Sequence, residues 1–120
     1  MKTKHFFVAS ILLSAFLLII GNSCKKSDDS NNNTPTTKNI SIVGMTYSPA
    51  SLTVAKGTIV KWTNNDTNPH TATSNDGTTF DSGNMNTGDT YSYTANTAGT
   101  FPYYCTIHGV MMSGTLIVNP

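Results

Sequence analysis

The sequence predicts an all-β fold, a Greek-key β-sandwich of roughly seven or eight short strands. From residue 38 onward, strand-like stretches of apolar and polar residues recur, with turn signals about every 8 to 12 residues. The same region lacks the apolar period of about 3.6 residues that marks an amphipathic helix. A length of 120 residues is compatible with one folded domain.

Two strands are predicted at the start of this domain. Residues 39–43 (NISIV) form the first, and Gly44 ends it because glycine interrupts extended structure. Residues 45–49 then lead into residues 51–54 (SLTV), in which apolar and polar side chains alternate.

The clearest strand signal follows a turn at residues 56–57. Residues 58–63 (TIVKWT) alternate so that Val60 and Trp62 share one face. A polar loop comes next, and residues 70–74 are predicted to form a further strand.

The last part of the domain continues this alternation of strands and turns. Residues 75–89 are rich in Gly, Asn and Asp, with Phe80 as a candidate buried anchor. Residues 90–94 alternate aromatic and hydroxyl side chains, which favours a strand. Residues 100–105 and 114–118 are predicted to be the final two strands.

The N-terminal segment has the features of an export signal. Residues 1–23 combine two lysines, an apolar run of about fifteen residues and a small or polar end, a pattern typical of a cleaved signal peptide. The following Cys24 resembles the lipobox cysteine of bacterial lipoproteins, which implies lipid anchoring at the periplasm or cell surface. Residues 24–37 then form a polar tether, and residues 38–120 form the domain.

Charge and cysteine content exclude some functions. From Cys24 onward the chain carries five lysines and six aspartates and no Arg or Glu, so its net charge is 5 − 6 = −1. Without a basic cluster, nucleic acid is not an expected partner. If Cys24 carries lipid, Cys105 is the one remaining thiol, and such a thiol in an oxidising compartment is expected to be buried, reactive or ligated.

Candidate metal donors cluster near the C-terminus. Cys105, His108 and two methionines, Met111 and Met112, fall within eight positions. His70, upstream, is the candidate for a second imidazole. Each could have an ordinary role, since buried Cys and Met often only fill a core. Together, however, thiolate, imidazole and thioether donors favour copper.

Six short stretches make this pattern specific. They are residues 58–66, 69–71, 80–83, 99–105, 105–108 and 112–114. In combination they resemble the cupredoxins, in particular the small plastocyanin, amicyanin and pseudoazurin group. The resemblance covers residues 40–118, essentially the whole predicted domain.

The resemblance implies one type 1 copper ion and its ligands. His70, Cys105 and His108 would be the three strong equatorial ligands. Family loops end in Met-x-Gly before the last strand, which favours Met112 over Met111 as the weak axial ligand. We also expect the side chain of Asn65 to hydrogen-bond across to the cysteine loop. Thr71, next to His70 in the chain, is expected to make a similar bond.

The implied function is single-electron shuttling outside the cytoplasm, without enzymatic activity. The protein would be a monomer that docks briefly with redox-partner proteins through a small apolar patch around His108, and it would meet the membrane only through its lipid.

Three alternatives remain open from the residues alone. The same ligands could serve a copper chaperone or store, which a colourless site restricted to Cu(I) would favour. Cys105 could instead be a nucleophile with His108 or His70 as base, although no orienting acid is signalled near the pair. A metal-free adhesion sandwich would leave the four donors unexplained.

Overall fold

The structure, a computed structural model, describes residues 34–120 of the chain. The predicted signal peptide, Cys24 and most of the tether therefore lie outside the described residues. The described part folds into eight strands and contains no helix, and so offers no helical segment long and apolar enough to cross a bilayer. The strands are β1 (Thr37–Val43), β2 (Thr46–Ser48), β3 (Ser51–Ala55), β4 (Ile59–Asn64), β5 (Thr73–Ser74), β6 (Thr90–Thr94), β7 (Gly99–Cys105) and β8 (Gly109–Asn119).

The strands form two four-stranded sheets. One has the order β2-β1-β4-β6 and the other β3-β8-β7-β5. The β1–β4 and β3–β8 pairs are parallel, whereas the other pairs are antiparallel. The predicted all-β sandwich is confirmed, with both sheets mixed.

The core is centred on Trp62 in β4, which is fully buried. Its ring lies 5.2 Å from that of Phe80, 5.7 Å from Tyr103 and 5.8 Å from Tyr91, measured between centroids. Inward residues alternate along β4, as its pattern predicts, and the last of them is the polar Asn64. An amide therefore ends the apolar face of this strand, at the end of the sheet from which the His70 loop departs.

Two predicted strand starts differ from the structure by more than two residues. Of residues 70–74 only Thr73–Ser74 form a strand, while His70 makes an isolated bridge to Met85. Residues 70–72 pair with a loop instead of a regular strand. Ser82 accepts the Ala72 N–H at its Oγ and donates its own N–H to the Ala72 carbonyl.

The final strand begins at Gly109, five residues earlier than predicted. Its first residues continue the ladder with β7, where Cys105 pairs with Gly109 and Tyr104 with Ser113. The register shifts between Tyr104 and Cys105, as in a β-bulge. The connection between the two strands is consequently only residues 106–108.

Candidate metal centre

The short β7–β8 connection brings His108 back to Cys105. Gly109 has a φ of +68°, a conformation that glycine adopts without steric cost, and it lets the chain reverse directly after His108. The Nδ1 atom of His108 lies 3.5 Å from Cys105 Sγ. Cys105 is fully buried, whereas His108 is only partly so.

His70 reaches the same sulfur from the loop after β4. Its ring is fully buried, and its Nδ1 lies 3.9 Å from Cys105 Sγ. The backbone is fixed by reciprocal bonds with Met85: His70 N–H donates to the Met85 carbonyl at 3.1 Å, and Met85 N–H donates to the His70 carbonyl at 2.8 Å. The backbone that carries the His70 ring is therefore restrained by two hydrogen bonds to Met85.

Asn64 organises this loop, a role that the sequence reasoning missed. Its buried amide donates to the carbonyls of Asn68 and Met85, both at 2.8 Å. Its Oδ1 accepts the Asp66 N–H at 2.9 Å. The available signal was the position of Asn64 on the inward face of β4, where a buried polar group needs partners.

The three side chains converge into one donor set. The ligand atoms of His70, Cys105 and His108 lie within 4.8 Å of one another. Both imidazoles direct Nδ1 at the sulfur, and their ring centroids are 4.8 Å apart. The Nε2 of His70 is engaged by Asp66 Oδ2 at 2.8 Å, which favours the tautomer with a free lone pair on Nδ1. One sulfur and two imidazole nitrogens in this arrangement fit a copper ion.

The protein environment prepares Cys105 to act as a thiolate. Burial raises the pKa of the thiol, but the Thr71 N–H and the rings of His108 and His70 outweigh burial and lower it to about 6. The Thr71 N–H donates to the sulfur at 3.3 Å. Because metals bind the thiolate form of cysteine, this environment favours metal binding at neutral pH.

The contacts expected of Thr71 and Asn65 turn out differently from each other. Thr71 links the loop that carries His70 to the loop between Cys105 and His108, since its Oγ1 accepts the Thr106 N–H at 2.9 Å. Asn65 does not bond to the cysteine loop: it is exposed, and its amide donates to Ser41 Oγ at 2.7 Å. The prediction for Asn65 is therefore wrong: Asn64, the last residue of β4, is buried, whereas Asn65, directly after the strand, is exposed.

The two candidate methionines lie on opposite faces of β8. Met112 is 1% exposed and belongs to the core, whereas Met111 is 85% exposed. Gly114 is the next inward residue after Met112, so the Met-x-Gly pattern follows the strand alternation. Burial therefore favours Met112 as the thioether that completes the site.

Separate glutamine substitutions distinguish the two methionines. We expect Met112→Gln to change the visible spectrum of the copper form and to move its reduction potential by at least about 59 mV, a tenfold change in the one-electron equilibrium. Met111→Gln, at an exposed position, serves as the matched control and should leave both unchanged. Wild-type spectra and potentials from both variants would eliminate the axial assignment.

Comparison with known proteins identifies the fold family. The family model described as a cupredoxin-like domain matches residues 10–118. The chain belongs to this family. No curated protein matches the chain, but solved structures do. A purple cupredoxin from Nitrosopumilus maritimus is 32% identical, with a TM-score of 0.59 over 68% of this chain and 98% of that one.

Two further solved structures are similar to this chain in sequence and fold. A mutant of amicyanin in its reduced state is 27% identical, with a TM-score of 0.64, over 69% of this chain and 82% of that one. A copper-containing nitrite reductase from Thermus scotoductus SA-01 is 26% identical, with a TM-score of 0.63, over 72% of this chain but 22% of its own. The predicted cupredoxin resemblance is confirmed, and His70, Cys105, His108 and Met112 are arranged as a type 1 site for a single copper ion.

Proposed function

We propose that this cupredoxin carries single electrons between redox partners outside the cytoplasm. The observation that carries the proposal is the convergence of two Nδ1 atoms on a buried thiol within 4.8 Å, with the buried Met112 on the following strand. Copper bound there would supply a one-electron couple. Bonds from the Thr71 N–H to Sγ and from the Thr106 N–H to Thr71 Oγ1 connect the loops that carry His70 and Cys105, and would restrain the ligands against rearrangement when the oxidation state changes.

His108 is the proposed point of electron entry and exit. It is less buried than His70, and exposed apolar residues lie beside it in the chain. Ile107 is 45% exposed and Val110 82%. With Met111 they form what we call the apolar rim. A rim this small suits weak, short-lived docking to a partner protein, in the class of interfaces below about 1,200 Å².

The proposed setting is the periplasm or the cell surface. The N-terminal sequence supports export, and Cys24 supports a lipid anchor that would hold the domain near membrane-bound partners. Labelling cells with a radioactive or clickable fatty acid tests this proposal: wild type should incorporate label and Cys24→Ser should not. Equal labelling of both would contradict the anchor.

Titration of the purified metal-free protein with Cu(II) tests the function. We expect one equivalent to bind, with an intense visible thiolate-to-copper band and reversible one-electron reduction at an electrode. The absence of the band would contradict the type 1 site. A protein that holds only Cu(I), without colour, would favour copper handling over electron transfer.

A further inference from the structure

A carboxylate lies behind one of the two histidines. Asp66 Oδ2 is 2.8 Å from His70 Nε2, the ring nitrogen opposite the one that faces Cys105. The His70 side chain is fully buried, and that of Asp66 is only 15% exposed. His108 Nδ1 faces the same sulfur from a less buried ring, so the two histidines occupy unequal environments.

The Asp66 carboxylate is held in place by its neighbours. Its Oδ1 accepts the Thr67 N–H at 2.7 Å, which leaves Oδ2 for His70. Its own N–H donates to Asn64 Oδ1 at 2.9 Å, and its carbonyl accepts the Thr87 hydroxyl at 2.7 Å. The contact with His70 therefore belongs to a restrained loop, unlike a pair of freely moving surface side chains.

A carboxylate acceptor changes a metal-bound imidazole in two ways. It fixes the tautomer with the proton on Nε2, and it makes the opposite nitrogen a stronger donor. A stronger donor stabilises the more highly charged oxidation state of a metal, here Cu(II) over Cu(I).

We propose that Asp66 is a positioning residue that fixes His70 for metal binding and lowers the reduction potential of the site. This inference rests on the proposed copper function. The reduction potential would then depend on the Asp66 carboxylate as well as on the four ligands.

Three substitutions at position 66 separate charge from hydrogen bonding. Asp66→Asn keeps an acceptor oxygen but loses the charge, Asp66→Ala loses both, and Asp66→Glu keeps the charge on a longer side chain. Loss of a hydrogen-bond partner of a ligand typically costs about 10- to 100-fold in metal affinity. We expect Asp66→Asn to weaken Cu(II) binding by about tenfold with Cu(I) binding unchanged, which raises the potential by about 59 mV.

Asp89→Asn is the matched charge control. Asp89 is exposed, and its carboxylate accepts the Asn86 N–H at 2.8 Å, a bond that an amide oxygen can keep. At an ionic strength of about 0.15 M, screening should hold its effect on Cu(II) affinity below about twofold. Competition titrations with Cu(II) and Cu(I) chelators and voltammetry give the required affinities and potentials.

A readout without copper tests the positioning role directly. In the metal-free protein, nitrogen-15 chemical shifts of His70 report which ring nitrogen carries the proton. We expect the Nε2–H form in wild type and in Asp66→Glu, and a mixture of tautomers in Asp66→Ala.

The outcomes separate this inference from the proposed function. A blue wild type whose potential shifts equally in Asp66→Asn and Asp89→Asn would overturn the role of Asp66 and leave the function intact. A wild type that forms no coloured Cu(II) complex would overturn the proposed function, while unchanged His70 tautomers in metal-free Asp66→Ala would independently overturn the positioning role. If Asp66→Asn fails to fold, an Asp66→Glu variant with the wild-type potential supports the inference, and one with a potential raised by about 59 mV or more overturns it.

Discussion

Replacing Cys105 with serine is expected to abolish the visible thiolate-to-copper band entirely. The band requires a sulfur ligand, and serine offers a harder oxygen that suits copper less well. We also expect Cu(II) affinity to fall by more than the roughly 10- to 100-fold typical of losing a ligand's hydrogen-bond partner. Visible absorption and chelator competition on the copper-loaded protein measure both effects.

The fold should survive this change, because serine is close to cysteine in size. Its hydroxyl can still accept the Thr71 N–H that now bonds to the sulfur. Cys24→Ser, at the other cysteine of the chain, is the matched control and should keep the band at full intensity. A Cys105→Ser protein that retains the band would show that the sulfur is not a copper ligand.

Strand alternation made much of the fold predictable, since the pattern from residue 38 onward indicated a sandwich. Cys105, His108 and His70 were recognisable from their residue types and from the resemblance to the cupredoxins. Met112 was preferred over Met111 because of Gly114 two residues later, and the structure gives that preference a physical basis. Inward positions of β8 recur every second residue, so Met112 and Gly114 share the buried face.

The hydrogen-bond partners of the site were harder to predict, because they depend on the direction of individual loop side chains. Asn64 and Asn65 are identical in type and adjacent in sequence, and only the inward face of β4 distinguishes them. The contact of Asp66 with His70 spans a turn-like loop with no strand or helix period. The start of β8 was misplaced because Gly109 and Ser113 have ladder partners in β7, Cys105 and Tyr104, that the sequence does not reveal.

Gly114→Ala is expected to destabilise the protein although it adds only one methyl group. Gly114 lies directly opposite Tyr103 in the β7–β8 ladder. A Cβ at this position would lie 2.8 Å from Tyr103 Cε1 and closer still to Cζ and the hydroxyl oxygen. Overpacking of this kind typically costs about 1–3 kcal/mol.

The Tyr103 ring has little room to move away. It is 1% exposed, and its centroid lies 4.7 Å from that of Tyr47 and 5.7 Å from those of Trp62 and Phe80. For a domain of about 60–100 residues, each kcal/mol corresponds to a fall of roughly 4–8 °C in Tm. Thermal unfolding of the metal-free protein measures this loss.

Ser113→Ala controls for substitution on the same strand. Ser113 is exposed on the opposite face of β8, so its replacement should change stability by less than about 0.5 kcal/mol.

Tyr103→Leu, made alone and together with Gly114→Ala, completes a double-mutant cycle. If the ring causes the clash, the double variant should be more stable than the sum of the single effects predicts, by about 0.5–3 kcal/mol. If the two changes in the free energy of unfolding simply add, the loss in Gly114→Ala does not come from a clash with the Tyr103 ring. Non-additivity would instead show that the close approach of the Tyr103 ring is what requires a glycine at position 114.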